Sequence, residues 1–293
     1  MTGPSIPGFR SKRIEGADGV PIHVAVGGSG DPVVLLHGFP QTHVMWRAVA
    51  PELARTHTVI APDLRGYGES GKPEAVDEST YSKRTMAADV VRVAGALGFD
   101  RFSLVGHDRG ALVAVRAGLD HPGAVERLGV LDVLPTLDMW DVLHGVQAAV
   151  AWHLYLMAQP PGLPERMIAA TADEFFASFL DGWGADERAI PADVRAHYLA
   201  ASKAAVPSIV ADYRASAGID LVHDRADREA GARLRMPVAS LAQDWGGMLG
   251  FDPQALWRAW APDFEFHPID AGHFAAESHP EEIVRFVRSL LAR

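Results

Sequence analysis

Residues 102–111 read FSLVGHDRGA, and the fold follows from how that stretch is divided. Positions 102–105 are a short apolar run suited to a strand, and a helical pattern opens near Ala111. Between them, Gly106 and Gly110 stand two residues either side of Asp108. Small residues there permit a tight, strained turn that lifts the central side chain out at the edge of a sheet. Gly-x-Asp-x-Gly alone is a cheap pattern that suits a structural turn equally well. The strand before it and the helix after it make Asp108 a candidate nucleophile.

Working outward, residues 33–36, 58–61 and 128–132 are further apolar strands separated by amphipathic helical stretches, the pattern of a parallel sheet covered on both faces. Residues 12–15 and 21–26, joined through Ala17-Asp18-Gly19, read as an opening hairpin. The rhythm returns at 238–241 and 264–269, followed by a closing helix over 281–291 entered through Pro280. From 136 to 225 the strand signal disappears, and a helical segment carries Trp140, Trp152, Tyr155, Phe175, Phe176, Phe179, Trp183, Tyr198 and Tyr213. The expected organisation is an α/β core of residues 1–135 and 226–293, with a helical cap over 136–225 inserted after the sixth strand. Some cap aromatics would line a shielded pocket, and most would form the cap's own core.

The bulk composition narrows the function. A formal charge of -10 from 37 acidic and 27 basic residues, with no basic run, argues against nucleic acid and anionic membrane partners. The start, MTGPSIPGFRSKR, lacks the apolar run of a leader, and no stretch of about 18 apolar residues occurs, so a cytoplasmic location is expected. With no cysteine, thiolate nucleophiles, disulfides and Cys-ligated zinc are excluded. The thirteen histidines show no close ligand spacing, and no metal is expected.

Around Asp108, three further positions carry chemistry. His37-Gly38-Phe39-Pro40 follows the strand at 33–36, where such folds supply a backbone donor to an oxyanion hole. That role falls to the N–H of Phe39, paired with the N–H of Arg109. The His37 side chain reads as structural, and the loop DLRGYGES (63–70) as scaffold. His273, in Ala271-Gly272-His273-Phe274 after the last strand, is the expected base; His267 and His279 fall within that strand and at the start of the closing helix. Asp132 and Asp244, each at a strand end, compete as the acid that orients His273, in the order nucleophile, acid, histidine.

The runs HGFPQTHVMW, DLRGYGES, GHDRGA, LDVLPT, WHLYLMAQP, ADYRASAGID and AGHF together resemble the fluoroacetate (haloacetate) dehalogenases of the α/β hydrolase superfamily, across most of the chain. The resemblance implies the α/β hydrolase fold, a small-molecule substrate, no cofactor and a homodimer. It favours Asp132 over Asp244. It also implies two-step hydrolysis: Asp108 displaces halide from a 2-haloacid to form an ester, and His273 activates water to cleave it. His153 and Tyr213 would hold the leaving halide. Relatives acting on uncharged substrates have tryptophan after the nucleophile, so Arg109 is the candidate for the substrate carboxylate; its alternative is an ion pair with an acid of the cap.

Two positions depart from that family. Leu112 stands where a second carboxylate-binding arginine is expected, and Leu154 where a tryptophan N–H would reach the halide. Losing either contact costs roughly 1.5 to 3 kcal/mol. Release of fluoride, the poorest leaving group, is therefore disfavoured, and chloride, bromide or a bulkier substrate fits better. Trp140 and Trp152 are candidate replacements for the missing donor. An epoxide hydrolase is the competing enzyme, but it needs two cap tyrosines, and Tyr155 would point away from the site of Leu154 on a helix. A non-catalytic binding protein on the same fold is the third reading.

Overall fold

The computed structural model describes residues 3–184, 186 and 188–293. Met1 and Thr2, at the start of the segment read as lacking a leader, and Ala185 and Glu187, within the cap range, lie outside the described residues.

The strands are β1 (Arg10–Glu15), β2 (Pro21–Gly28), β3 (Pro32–Leu36), β4 (Thr58–Pro62), β5 (Phe102–His107), β6 (Val125–Leu131), β7 (Val238–Ala242) and β8 (Phe264–Pro268). They form one sheet in the order β1-β2-β4-β3-β5-β6-β7-β8. The hairpin β1–β2 and the β2–β4 pair are antiparallel, and every pairing from β4 to β8 is parallel. This is the mostly parallel sheet flanked by helices that the sequence predicts.

The period of two along a strand divides the core. Val34 and Leu36 face one side, with Met86 and Val90 of the helix Lys83–Ala96 and Val113 of the helix Arg109–Asp120. Val33 and Leu35 face the other, with Ile283 and Val287 of the helix Pro280–Leu291. A strand buried on both faces must be apolar throughout, as β3 and β5 nearly are.

Among the described residues between β6 and β7, none forms a strand of the sheet. The helices there include Thr136–Val142, Trp152–Met157, Ala172–Gly182, Ala192–Lys203, Val206–Ala217 and Ile219–Glu229. Phe175, Phe176, Phe179 and Tyr198 are buried there, and the rings of Phe176 and Phe179 pack on Phe39 of the core. Among the described residues, no helix is long and apolar enough to cross a membrane.

Because β3, β5, β6, β7 and β8 run parallel, their C-terminal ends open at one edge. Residues 37–39, Asp108, Asp132, Gln243 and His273 all follow those ends. Open α/β sheets bind ligands at that edge.

Candidate active site

The turn between β5 and the helix Arg109–Asp120 places Asp108 at φ 49°, ψ −119°. A non-glycine residue there stores about 1–3 kcal/mol of strain. The backbone closes round it tightly: a Cβ on Gly106 would lie 2.4 Å from the Gly110 carbonyl oxygen, and one on Gly110 would lie 2.3 Å from that of His37. Glycine is required at both places by close approach of backbone.

The two carboxylate oxygens of Asp108 have different surroundings. Oδ1 accepts the Phe39 N–H at 2.7 Å. Oδ2 lies 3.9 Å from His273 Nε2. Arg109 is the first residue of its helix, so its N–H has no intrahelical acceptor. His37 is structural: its Nε2 accepts the Leu64 N–H at 3.0 Å.

His273 is held from three sides. Its N–H donates to the Trp183 carbonyl at 2.8 Å, and its own carbonyl accepts His107 Nε2 at 2.8 Å. Its Nδ1 lies 2.6 Å from Asp132 Oδ2. With a carboxylate as acceptor, Nδ1 carries a proton and Nε2 keeps its lone pair. Nε2 is buried and has no partner among the described residues. Burial opposes the charged ring, but the hydrogen bond and charge of Asp132 and the charge of Asp108 raise its pKa above the ordinary value.

Asp132 lies just past β6 with φ 51°. Besides His273 it accepts Gln243 N–H at 3.0 Å, Gln243 Nε2 at 2.9 Å and Trp245 Nε1 at 2.8 Å. Burial works against its ionisation, yet His273 and the Gln243 donors hold its pKa below the usual carboxylate range. Asp244 is exposed and accepts the Gly247 N–H, capping the helix Trp245–Leu249. Of the two acids the sequence left competing, Asp132 is the one that meets His273.

These groups open on a cavity of about 310 Å³ lined by Asp108, Arg109, Asp132, His153, Tyr213 and His273, together with Leu112, Leu154 and other apolar side chains. The Tyr213 hydroxyl and His153 Nδ1 are buried without partners among the described residues. Burial and the neighbouring Arg109 charge lower the His153 pKa to about 3, so that ring is neutral. Burial and then the Asp108 charge push the Tyr213 hydroxyl well above its ordinary pKa, so it stays protonated as a donor.

Of the two readings of Arg109, a substrate-carboxylate binder or a partner of a cap acid, the structure shows the ion pair with a cap acid. Its Nε and Nη2 bond the Asp212 carboxylate at 2.9 and 3.0 Å, and its guanidinium carbon lies 4.0 Å from the centre of the Tyr213 ring. Asp212 also pairs with Lys83 and accepts the Tyr67 hydroxyl at 2.7 Å. A buried guanidinium without a counter-ion is expensive, and the cap supplies one. A substrate acid would therefore share Arg109 with Asp212.

The proposed replacement donors need correction. Trp140 packs on Tyr155 and Trp152 stacks on Phe179, and neither lines the cavity; of the cap aromatics named from sequence, Trp183 and Tyr213 do. Tyr155 donates its hydroxyl to the Leu143 carbonyl at 2.7 Å. Sequence reading missed His107, Gln243 and Trp245, which act through His273 and Asp132, and it missed Asp212.

His23, His43 and Asp63 are buried, with ligand atoms within 4.8 Å of one another, an arrangement that suits a metal ion by residue type. The Asp63 carboxylate is already engaged there: Oδ1 accepts both the N–H and Nδ1 of His43, and Oδ2 accepts the Glu69 N–H. The cluster braces the loops around residues 43 and 63–70.

Residues 31–190 match the family model for the α/β hydrolase fold. The chain is 38% identical to a fluoroacetate dehalogenase from Burkholderia sp, covering 97% of this chain and 94% of that one. It is 34% identical to a soluble epoxide hydrolase from Corynebacterium sp. (strain C12), covering 91% and 92%. The crystal structure of ALR0039, a candidate α/β hydrolase from Nostoc sp PCC 7120, superposes with a TM-score of 0.93 at 38% identity over 99% of this chain and 100% of that chain.

Proposed function

The chain belongs to the α/β hydrolase fold family and is haloacetate dehalogenase-like within it, and from that premise we propose that it hydrolyses the carbon–halogen bond of a 2-haloacid through an ester on Asp108. The observation that carries this reading is the division of labour at Asp108. Oδ1 is tied to the Phe39 N–H, and Oδ2 is left for attack.

In the first step Oδ2 forms a bond to C2 of the acid as the carbon–halogen bond breaks in line. The halide leaves with the bonding pair toward Tyr213 and neutral His153. An ionised carboxylate needs no base for this step. In the second, water attacks the Asp108 carbonyl carbon while His273 Nε2 takes its proton and Asp132 stabilises the imidazolium that forms. Negative charge builds on Oδ1, where the Phe39 N–H already points. Collapse breaks the bond between the Asp108 carbonyl carbon and Oδ2, the His273 imidazolium returns its proton to the departing alkoxide, and the new carboxyl ionises to restore Asp108; the net products are hydroxyacid, halide and one proton.

The test uses His273→Ala, which keeps alkylation and blocks hydrolysis. Incubation with 2-bromo and 2-chloro acids is expected to add the mass of the alkyl acid to the peptide containing Asp108, with one equivalent of halide released. Wild type should release halide repeatedly. No adduct and no halide with any haloacid would overturn the reading, and diol release from an epoxide panel would replace it with the epoxide hydrolase.

A further inference from the structure

The cavity is larger and more apolar than a two-carbon acid needs. At about 310 Å³ it is roughly twice the size of a dry 150 Å³ cavity that accepts benzene. Leu112 and Leu154 are 2% and 4% exposed and both line it, where a second arginine and a tryptophan would have confined and polarised the space. Leu134, Met139, Leu143 and Phe251 extend that lining, and Arg109 is the one Lys or Arg among the described lining residues. Arg109 is already paired with Asp212. Val150 both lines the cavity and is 39% exposed, which gives the opening an apolar rim.

A small anion would thus gain little from charge here and would leave apolar wall in contact with water. From the paired Arg109 and the leucine-lined chamber beside Asp108, we infer that the substrate is a 2-haloalkanoic acid with an apolar tail of roughly four to six carbons beyond C2. This rests on the alkylation chemistry above. The head reacts at Asp108 while the tail fills the space toward Leu143 and Phe251. Tail burial replaces the binding that a second arginine would have supplied.

A series of 2-bromoalkanoates from two to twelve carbons tests this with the intact protein. Burying one methylene gives about fourfold, the equivalent of roughly 0.8 kcal/mol. kcat/KM should therefore climb by about that factor per carbon through the middle of the series and level off once the chamber is full. Leu143→Trp, checked for an unchanged melting profile, should shorten the chain length at which the rise stops. A series that is flat or falls with length, while bromide is still released from the short acids, overturns the tail and leaves the chemistry standing. Absence of bromide from every member, with no adduct on Asp108 in His273→Ala, overturns the chemistry and the tail with it.

Discussion

At the scale of single residues, the proposed reaction turns on one carboxylate changing its charge. In that scheme Asp108 attacks as an anion and is neutral as an ester, and its charge is one of those that raise the His273 pKa. Alkylation therefore removes an anion from beside the imidazole, and the pKa must fall. A ring that falls in pKa is deprotonated over more of the neutral range when a base is needed. Asp108→Asn mimics the neutral ester. The His273 pKa, followed by NMR titration of its ring, should be lower in Asp108→Asn than in wild type, and lower still in Asp132→Asn, where the hydrogen bond weakens too. Release of the ester should accelerate as pH rises through that lowered value. A pKa unmoved by Asp108→Asn would show that the two groups are not coupled. The sequence carried Asp108 and His273 plainly because their residue types stand at strand ends. A pair between Arg109 and a cap acid was one of the readings open in the sequence, but that Asp212 is the acid was not legible, because the partners are 103 residues apart and meet only after the cap has folded over the sheet.

Among elements, the turn at Asp108 was readable because its demands are local. Gly106, Gly110 and the flanking strand and helix are fixed by backbone clearance over a few residues, and β5 and the helix Arg109–Asp120 lie where the pattern placed them. The segment between β7 and β8 was not readable in that way. Its short helices Trp245–Leu249 and Pro253–Arg258 have no long period, yet Trp245 and Phe251 line the cavity. The clearance argument makes opposite predictions for two glycines. Gly110→Ala puts a methyl group 2.3 Å from a carbonyl oxygen and should destabilise by about 1–3 kcal/mol or more. Gly95, inside the helix Lys83–Ala96, has nothing within 4 Å of a Cβ. Gly95→Ala should stabilise by about 0.5–1 kcal/mol through helix propensity alone. Urea unfolding midpoints distinguish them, and equal effects would mean that the close packing behind Asp108 is not what holds the turn.

For the whole molecule, parallel topology explains why residues from five strands converge, since the loops after β3, β5, β6, β7 and β8 leave one edge of one sheet. That much was implicit in the alternation of apolar strands and helices. The field at that edge was only partly implicit. The chain carries 37 acidic and 27 basic residues, a formal charge of -10. At the cavity, Asp108 and Asp132 add to that sign, while the charges of Arg109 and the neighbouring Lys83 are offset by Asp212 and Asp220. An anionic substrate therefore approaches against repulsion. Raising the salt from 0.01 to 0.15 M shortens the screening length from about 30 Å to about 8 Å. kcat/KM for a 2-bromoalkanoate should then rise roughly two- to tenfold. The matching 2-bromoalkanamide, which has no charge, should change little and reads out any effect of salt on the protein itself. If salt instead slows the acid and spares the amide, an attractive cation dominates at the site, and Arg109 is more available to the substrate than its pairing with Asp212 implies.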